Sequence, residues 1–192
     1  KTLLCRRFLA TLGEGFVTAY LPNPYLEPRT LLLALAEELG VPLDREADQY
    51  RLLKGLNLAL LNFARQRRAV VLCLDEAQAM PMETLEMLRL LSNLETEKRK
   101  LLQLVLFGQP ELDEKLANPS VRQLRQRIAF HYRLRGLKRG ELDHYLSHRL
   151  RVAGHRGNRV FSLASMRLIH RASGGTPRLV NILAHKAMLS AY

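Results

Sequence analysis

Tryptophan is missing from this sequence, aromatic residues make up only 6% of it, and there are only two cysteines. So few cysteines exclude a disulfide-stabilised scaffold. Cys5 and Cys73 both lie within apolar patterns, which predicts reduced, buried residues with no disulfide between them. The longest apolar runs have six residues, far fewer than the roughly 20 that a membrane-spanning helix needs. The scarcity of aromatic side chains leaves little for stacking on nucleic-acid bases.

Acidic residues are also in short supply, because 18 Asp and Glu stand against 30 Lys and Arg, giving a net charge of +12. The excess is uneven: residues 1–137 have a net charge of +4 and residues 138–192 one of +8. A basic C-terminal part is compatible with binding to nucleic acid, to an acidic membrane surface or to nucleotide phosphates, and also with solubility alone.

Short apolar segments alternate with helical patterns through the first part of the chain. Buried or half-buried strands are predicted at Phe16–Leu21, Val70–Leu74, Leu101–Phe107 and 128–134. Apolar periodicity predicts helices from the start of the chain to Leu12 and at Arg29–Leu39, Ala47–Arg67, Met82–Leu94, Glu111–Leu116, Ser120–Arg125, Gly140–Ala153, Leu163–Ala172 and Pro177–Ser190. The sequence therefore predicts an α/β domain over 1–137, with a parallel sheet between helices, and a small all-helical domain over 138–192.

The stretch 70–78 joins an apolar run to two adjacent carboxylates. Five apolar residues, Val70–Leu74, are followed at once by Asp75 and Glu76. Ligands of open α/β sheets bind at the carboxyl ends of the strands, and an acidic pair there suits a magnesium nucleotide. One carboxylate would bind the metal, and the other would polarise a water molecule. Alternatively, the two residues merely begin the next helix, favoured by its dipole.

The first two residues, Lys1 and Thr2, stand directly before a helical pattern. They match the end of a phosphate-binding loop, G-x-x-x-x-G-K-[ST], whose glycines would precede Lys1. Lys1 would contact the β- and γ-phosphates, and the Thr2 hydroxyl would bind Mg²⁺. We therefore expect further sequence upstream, and only weak nucleotide binding by a chain that begins at Lys1.

Four motifs in order extend this pattern: Leu-Asp-Glu-Ala-Gln, Leu-Phe-Gly-Gln-Pro-Glu-Leu, Leu-Arg-Gln-Arg-Ile and Gly-Gly-Thr-Pro-Arg. Together they resemble the AAA+ ATPases, and within them the general-secretion-pathway protein A and MSHA-pilus biogenesis ATPases. The resemblance spans nearly the whole chain. It implies a P-loop sheet followed by a helical lid, ATP and Mg²⁺ as cofactors, and ATP hydrolysis by the full-length protein.

The resemblance also implies individual roles. Asp75 corresponds to the Mg²⁺-binding carboxylate and Glu76 to the residue that polarises the attacking water. Gln109 corresponds to the first sensor, Arg127 to an arginine finger that reaches a neighbouring subunit, and Arg178 to a lid arginine that faces the phosphates in the same subunit.

Each role has an alternative in the sequence. Gln109 could only cap the turn before Pro110, Arg125 could be the finger in place of Arg127, and Arg178 could be an ordinary surface residue.

The partners follow from the resemblance as well. It implies a ring or another homo-oligomer that shares its ATP sites, and secretion or pilus assembly proteins at the inner membrane as partners of a cytoplasmic domain. The alternative is a DNA-binding AAA+ ATPase of the transposition or replication-initiator type, which the basic charge of residues 138–192 favours and the scarcity of aromatic residues opposes.

Overall fold

A computed structural model of the chain describes residues 2–95 and 100–191. The chain divides into two units, residues 1–130 and residues 131–192. The contacts place this division at 130/131, whereas the sequence placed the domain boundary after Leu137. Residues 131–137 group with the helical unit, in which the Leu137 N–H donates to the Gly175 carbonyl at 2.8 Å.

The first unit is built on a parallel sheet of three strands in the order β1-β2-β3. The strands are β1 Phe16–Leu21, β2 Ala69–Leu74 and β3 Leu102–Leu106, which confirms three of the predicted strands. The helices of this unit are α1 Thr2–Thr11, α2 Pro28–Glu38, α3 Gln49–Arg65, α4 Met82–Ser92, α5 Glu111–Ala117 and α6 Arg122–Arg125. Short 3₁₀ turns lie at Ala77–Ala79 and Pro119–Val121.

Strand β2 is the middle of the sheet and the most deeply buried strand. Five of its six residues are buried, because neighbouring strands cover both edges and helices cover both faces. The register pairs Leu21 with Leu74 and Leu74 with Leu106, so the carboxyl ends of all three strands are level. Leucines of α2, α3 and α4 fill the core against the sheet. Whatever follows Leu74 therefore emerges at one edge of the sheet.

The strand predicted at 128–134 is wrong. Residues 128–138 have no regular secondary structure, and the apolar members of the alternating pattern are exposed, with Phe130 83% and Tyr132 68% accessible. An alternating segment becomes a strand only when a neighbouring backbone completes its hydrogen bonds. Within the described residues, strand pairing joins β1 to β2 and β2 to β3, and none involves this segment.

The second unit has three helices around a small apolar core. They are α7 Arg139–Val152, α8 Leu163–Ser173 and α9 Pro177–Ala191, close to the predicted spans. The core comprises Leu142, Leu146, Phe161, Met166, Ile169, Val180 and Ala184. Ser162 caps α8 by accepting a hydrogen bond from the Ser165 N–H at 3.1 Å.

Glycine is needed where α8 passes into α9. Gly174 and Gly175 both have positive φ angles, 56° and 72°. A Cβ atom on Gly175 would collide with the Leu137 carbonyl oxygen. The close approach of this turn to Leu137 therefore depends on a residue without a side chain.

Among the residues that the structure describes, none of the helices has the length and apolarity needed to cross a membrane.

Candidate functional site

Asp75 follows β2 directly and is buried, with 1% of its surface accessible. Its backbone N–H continues the sheet by donating to the Leu21 carbonyl at 3.0 Å. From the residues that the structure describes, its side chain accepts two hydrogen bonds, one from the Glu76 N–H at 3.0 Å and one from the Tyr20 hydroxyl at a long 3.5 Å. These contacts fix the carboxylate at the carboxyl edge of the sheet.

The charge of Asp75 lacks a compensating cation in the described part of the chain, where no Lys or Arg forms an ion pair with it. A buried carboxylate is costly unless it is paired with a cation or a metal ion. Two hydrogen bonds also leave acceptor capacity on its oxygens. A hard divalent cation such as Mg²⁺, which prefers oxygen ligands, fits this site.

The pKa of Tyr20, whose hydroxyl donates to Asp75, lies above its ordinary value. Burial raises the pKa of this phenol, Arg6 opposes the shift, and the negative charge of Asp75 adds to it. Tyr20 therefore remains a neutral hydrogen-bond donor to the carboxylate throughout the neutral pH range.

Glu76 has a left-handed backbone conformation, with φ 53° and ψ 36°. Residues other than glycine rarely adopt it, and the strain is on the order of 1 kcal/mol. It turns the chain out of the strand direction directly after Asp75. Its side chain caps no helix N–H, and α4 begins only at Met82. Glu76 directly precedes the 3₁₀ turn Ala77–Ala79, so its catalytic role and its place at the start of the next helical segment both stay predictions.

Gln78 connects Glu76 to the next strand's end. Its side-chain nitrogen donates to Glu76 Oε2 at 2.5 Å, and its side-chain oxygen accepts the backbone N–H of Gln109 at 2.9 Å. The side-chain nitrogen of Gln109 lies 3.5 Å from the same Glu76 oxygen. Gln109 thus faces Glu76, a geometry that capping the turn before Pro110 would not require. We call Asp75, Glu76, Gln78 and Gln109 the carboxylate cluster.

Backbone hydrogen bonds hold the two loops of the carboxylate cluster together beyond the strands. The Phe107 N–H donates to the Leu74 carbonyl at 2.8 Å, and the Ala77 N–H donates to the Phe107 carbonyl at 2.9 Å. Farther along, Lys115 Nζ donates to the Met80 carbonyl at 2.7 Å. These bonds hold the backbone on which Glu76 and Gln109 stand. Precise sites are usually supported by rigid elements of this kind.

The remaining predicted site residues that the structure describes are all exposed. Thr2 is the exposed first residue of α1, and Lys1 lies outside the described residues. Arg127 is exposed in the turn after α6, and its N–H donates to the Leu124 carbonyl at 3.0 Å. Arg125, the alternative finger, is exposed at the end of α6. Arg178 is exposed in the first turn of α9, in the second unit.

Two members of the site's surroundings were not found from the sequence. Gln78 lay within the quoted Leu-Asp-Glu-Ala-Gln motif but was given no role, although its spacing of two residues from Glu76 could have suggested one. Tyr20 is 55 residues from Asp75, and only the pairing of β1 with β2 brings them together.

The sequence model of the family described as "AAA domain" matches residues 1–116. The chain belongs to the AAA family. General secretion pathway protein A of Aeromonas hydrophila is 42% identical to this chain over 193 aligned residues. The alignment covers 100% of this chain and 35% of the Aeromonas protein. The chain therefore spans about a third of the length of this relative, and the predicted relationship to this group is confirmed.

Solved structures with the same fold include the Aeropyrum pernix ORC2 protein. The structure of its ADPNP-ADP complexes has a TM-score of 0.62 and a sequence identity of 20% to this chain. The match covers 97% of this chain and 50% of the ORC2 chain. Cdc6p from Pyrobaculum aerophilum is also 20% identical, with a TM-score of 0.59, over 79% of this chain and 40% of that chain. At this identity the likeness concerns the fold, and it confirms the predicted AAA+ P-loop fold class.

Proposed function

We propose that this AAA module binds and hydrolyses ATP and thereby drives the assembly of an envelope secretion or type IV pilus machine. The similarity to general secretion pathway protein A supports the biological setting. One observation of the structure carries the chemistry: Asp75 is buried without a cationic partner in the described residues and adjoins Glu76, which both Gln78 and Gln109 contact. A metal-binding carboxylate and a water-polarising carboxylate are the two acidic groups that this reaction needs.

The residues have distinct tasks in the proposed reaction. Mg²⁺, when bound, neutralises charge on the phosphates, with Asp75 and Thr2 as its protein ligands. Glu76 orients a water molecule by accepting a hydrogen bond from it. As the oxygen of that water bonds to the γ-phosphorus in line, the bond from this phosphorus to the β–γ bridging oxygen breaks, ADP leaves, and Glu76 accepts the proton of the water. Gln78 and Gln109 hold the Glu76 side chain through its Oε2 atom. Catalysis then rests on positioning and charge stabilisation.

Cationic groups complete the proposed site. Lys1 and Arg178 bind the phosphates in the same subunit, and Arg127 reaches the γ-phosphate bound by a neighbouring subunit. The exposure of Arg127 and Arg178 is what such roles require. The proposal therefore includes a ring or another homo-oligomer, with secretion or pilus assembly proteins as partners at the inner membrane and this domain on the cytoplasmic side.

The proposal is tested by comparing Asp75→Asn with the wild type in the full-length protein. Phosphate release and ATP affinity are measured as Mg²⁺ is titrated. If Asp75 binds the metal, the substitution weakens the apparent Mg²⁺ affinity, and added Mg²⁺ partly restores turnover. Asp113→Asn, an acidic residue of α5 outside the carboxylate cluster, is the control. Wild-type turnover that does not depend on Mg²⁺ would contradict the proposal.

A second candidate function is DNA binding by an ATPase of the transposition or replication-initiator type. The net charge of +8 on residues 138–192 favours it. If the charge serves duplex DNA, the logarithm of affinity falls linearly and steeply with the logarithm of salt concentration. We expect only weak, non-specific binding. Tight, sequence-selective binding at physiological salt would favour this candidate over the first.

A further inference from the structure

Two thiols meet in the core of the first unit although 68 residues separate them in sequence. The Sγ atoms of Cys5, on α1, and Cys73, on β2, lie 2.7 Å apart. Both cysteines are free and both have 0% of their surface accessible. A disulfide bond has an S–S distance of about 2.05 Å, so closing the bond needs a movement of only about 0.7 Å. The sequence placed each cysteine in an apolar pattern but could not show this contact.

Cys5 has a special position in α1, because it is the only buried residue of that helix. Leu3 and Leu4 are 79% and 46% exposed, and Phe8 and Leu9 are half-buried. The contact between Cys5 and Cys73 is therefore the most deeply buried attachment of α1 to the sheet.

We propose that Cys5 and Cys73 form a site of reversible oxidative modification, at which a peroxide joins them in an intramolecular disulfide. One sulfur attacks the peroxide O–O bond, which breaks and releases water and leaves a sulfenic acid. The second thiol attacks that sulfur: the S–S bond forms, the S–O bond breaks and a second water leaves. Both thiols are oxidised by one electron each, hydrogen peroxide is reduced to two molecules of water, and a dithiol reductant reverses the reaction.

The burial of the pair determines how the reaction proceeds. Burial raises the pKa of the Cys5 thiol, which disfavours attack within the closed fold. Local opening of α1 exposes both sulfurs, and reclosure returns them to contact distance. The reaction is therefore slow but selective for the disulfide, because the second thiol is already in place when the first is oxidised.

The modification would join two parts of the nucleotide site. Thr2 lies three residues before Cys5, and Asp75 lies two residues after Cys73. A disulfide would covalently fix the helix that begins with Thr2 to the strand that ends before Asp75. This consequence, unlike the disulfide itself, rests on the proposed function, because Thr2 and Asp75 are its proposed Mg²⁺ ligands.

Peptide mapping of the full-length protein tests the inference without a nucleotide assay. The protein is treated with hydrogen peroxide, its remaining thiols are blocked under denaturing conditions, and it is digested with trypsin. We expect a disulfide-linked pair of peptides, 2–6 and 69–89, which separates on treatment with dithiothreitol. The linked pair should be the main oxidised product of both peptides. Free thiols after treatment, a disulfide between two copies, or sulfinic acid without the link would each overturn the inference.

Thermal unfolding supplies a second measurement. The oxidised wild type should unfold roughly 5–10 °C higher than the reduced protein, because the link restricts the unfolded chain. Cys5→Ser, treated in the same way, should show no such rise and should instead trap a sulfenic acid at Cys73 that reacts with dimedone. An identical rise in Cys5→Ser would overturn the inference. A disulfide without any ATPase activity would contradict only the proposed function.

Discussion

The side-chain amide of Gln78 donates to the Glu76 carboxylate at 2.5 Å, which makes it the closest side-chain partner of Glu76 described in the structure. Its other end accepts the Gln109 N–H, so a single side chain links the turns that follow β2 and β3. Glu76 is thus oriented from the side of its own loop and from the neighbouring strand's end. Substitutions at Gln78 and Glu76 can therefore separate the orientation of the Glu76 side chain from its charge and from the strain of its backbone.

Glu76→Gln keeps the size and polarity of the side chain but removes its charge. In the full-length protein we expect Mg·ATP to bind as before, while hydrolysis falls by roughly two or more orders of magnitude, the scale of a positioned general base. Steady-state phosphate release and equilibrium nucleotide binding measure the two effects separately. Unchanged turnover would refute the catalytic interpretation of Glu76.

Gln78→Ala removes the donor to Glu76 and the acceptor for Gln109 but leaves the charges of Asp75 and Glu76 in place. We expect kcat to fall by roughly 10- to 100-fold with little change in KM, because a misplaced catalytic group costs about that much. The matched control is Gln66→Ala, at the exposed C-terminal end of α3. Equal kcat values in the two variants would show that Gln78 does not position Glu76.

Glu76→Gly tests the backbone strain at φ 53°. Glycine adopts this conformation freely, so the free energy of unfolding should rise by about 1 kcal/mol while turnover is lost. Arg67→Gly is the control, since Arg67 is exposed, has φ 61° and lies outside the carboxylate cluster. It should gain similar stability and keep full turnover. Denaturant unfolding of both variants is decisive, and a loss of stability in both would refute the strain argument.

Arg127→Ala should reduce turnover by roughly two orders of magnitude or more while nucleotide affinity stays nearly unchanged, because a finger acts across a subunit boundary in the transition state. Mixing this variant with Glu76→Gln should partly restore hydrolysis if the two residues act in different subunits at one site. Should Arg125→Ala have this effect and Arg127→Ala not, the finger is the arginine two residues earlier.

The sequence by itself located the strands β1, β2 and β3 and the place of Asp75 and Glu76 at the edge of their sheet, although it also predicted a fourth strand at 128–134 that does not form. The run Val70–Leu74 begins with two β-branched residues and has two carboxylates directly after it, a pattern that predicts a buried central strand and places the polar residues where that strand ends. The same local logic located Gln109 after β3 and the helices of the second unit, because each of these patterns depends on neighbours in the sequence.

Tertiary structure alone decided the contacts between distant segments. The alternation of apolar and polar residues in 128–134 is typical of a strand. A strand also needs a neighbouring backbone to pair with, and the sequence of the segment does not determine whether one is available. The parallel register of the strands brings Tyr20 to Asp75 and Gln78 to Gln109. The packing of α1 against the sheet brings Cys5 to Cys73. Periodicity specifies which face of an element is buried, whereas the identity of the residue packed against that face depends on the whole fold.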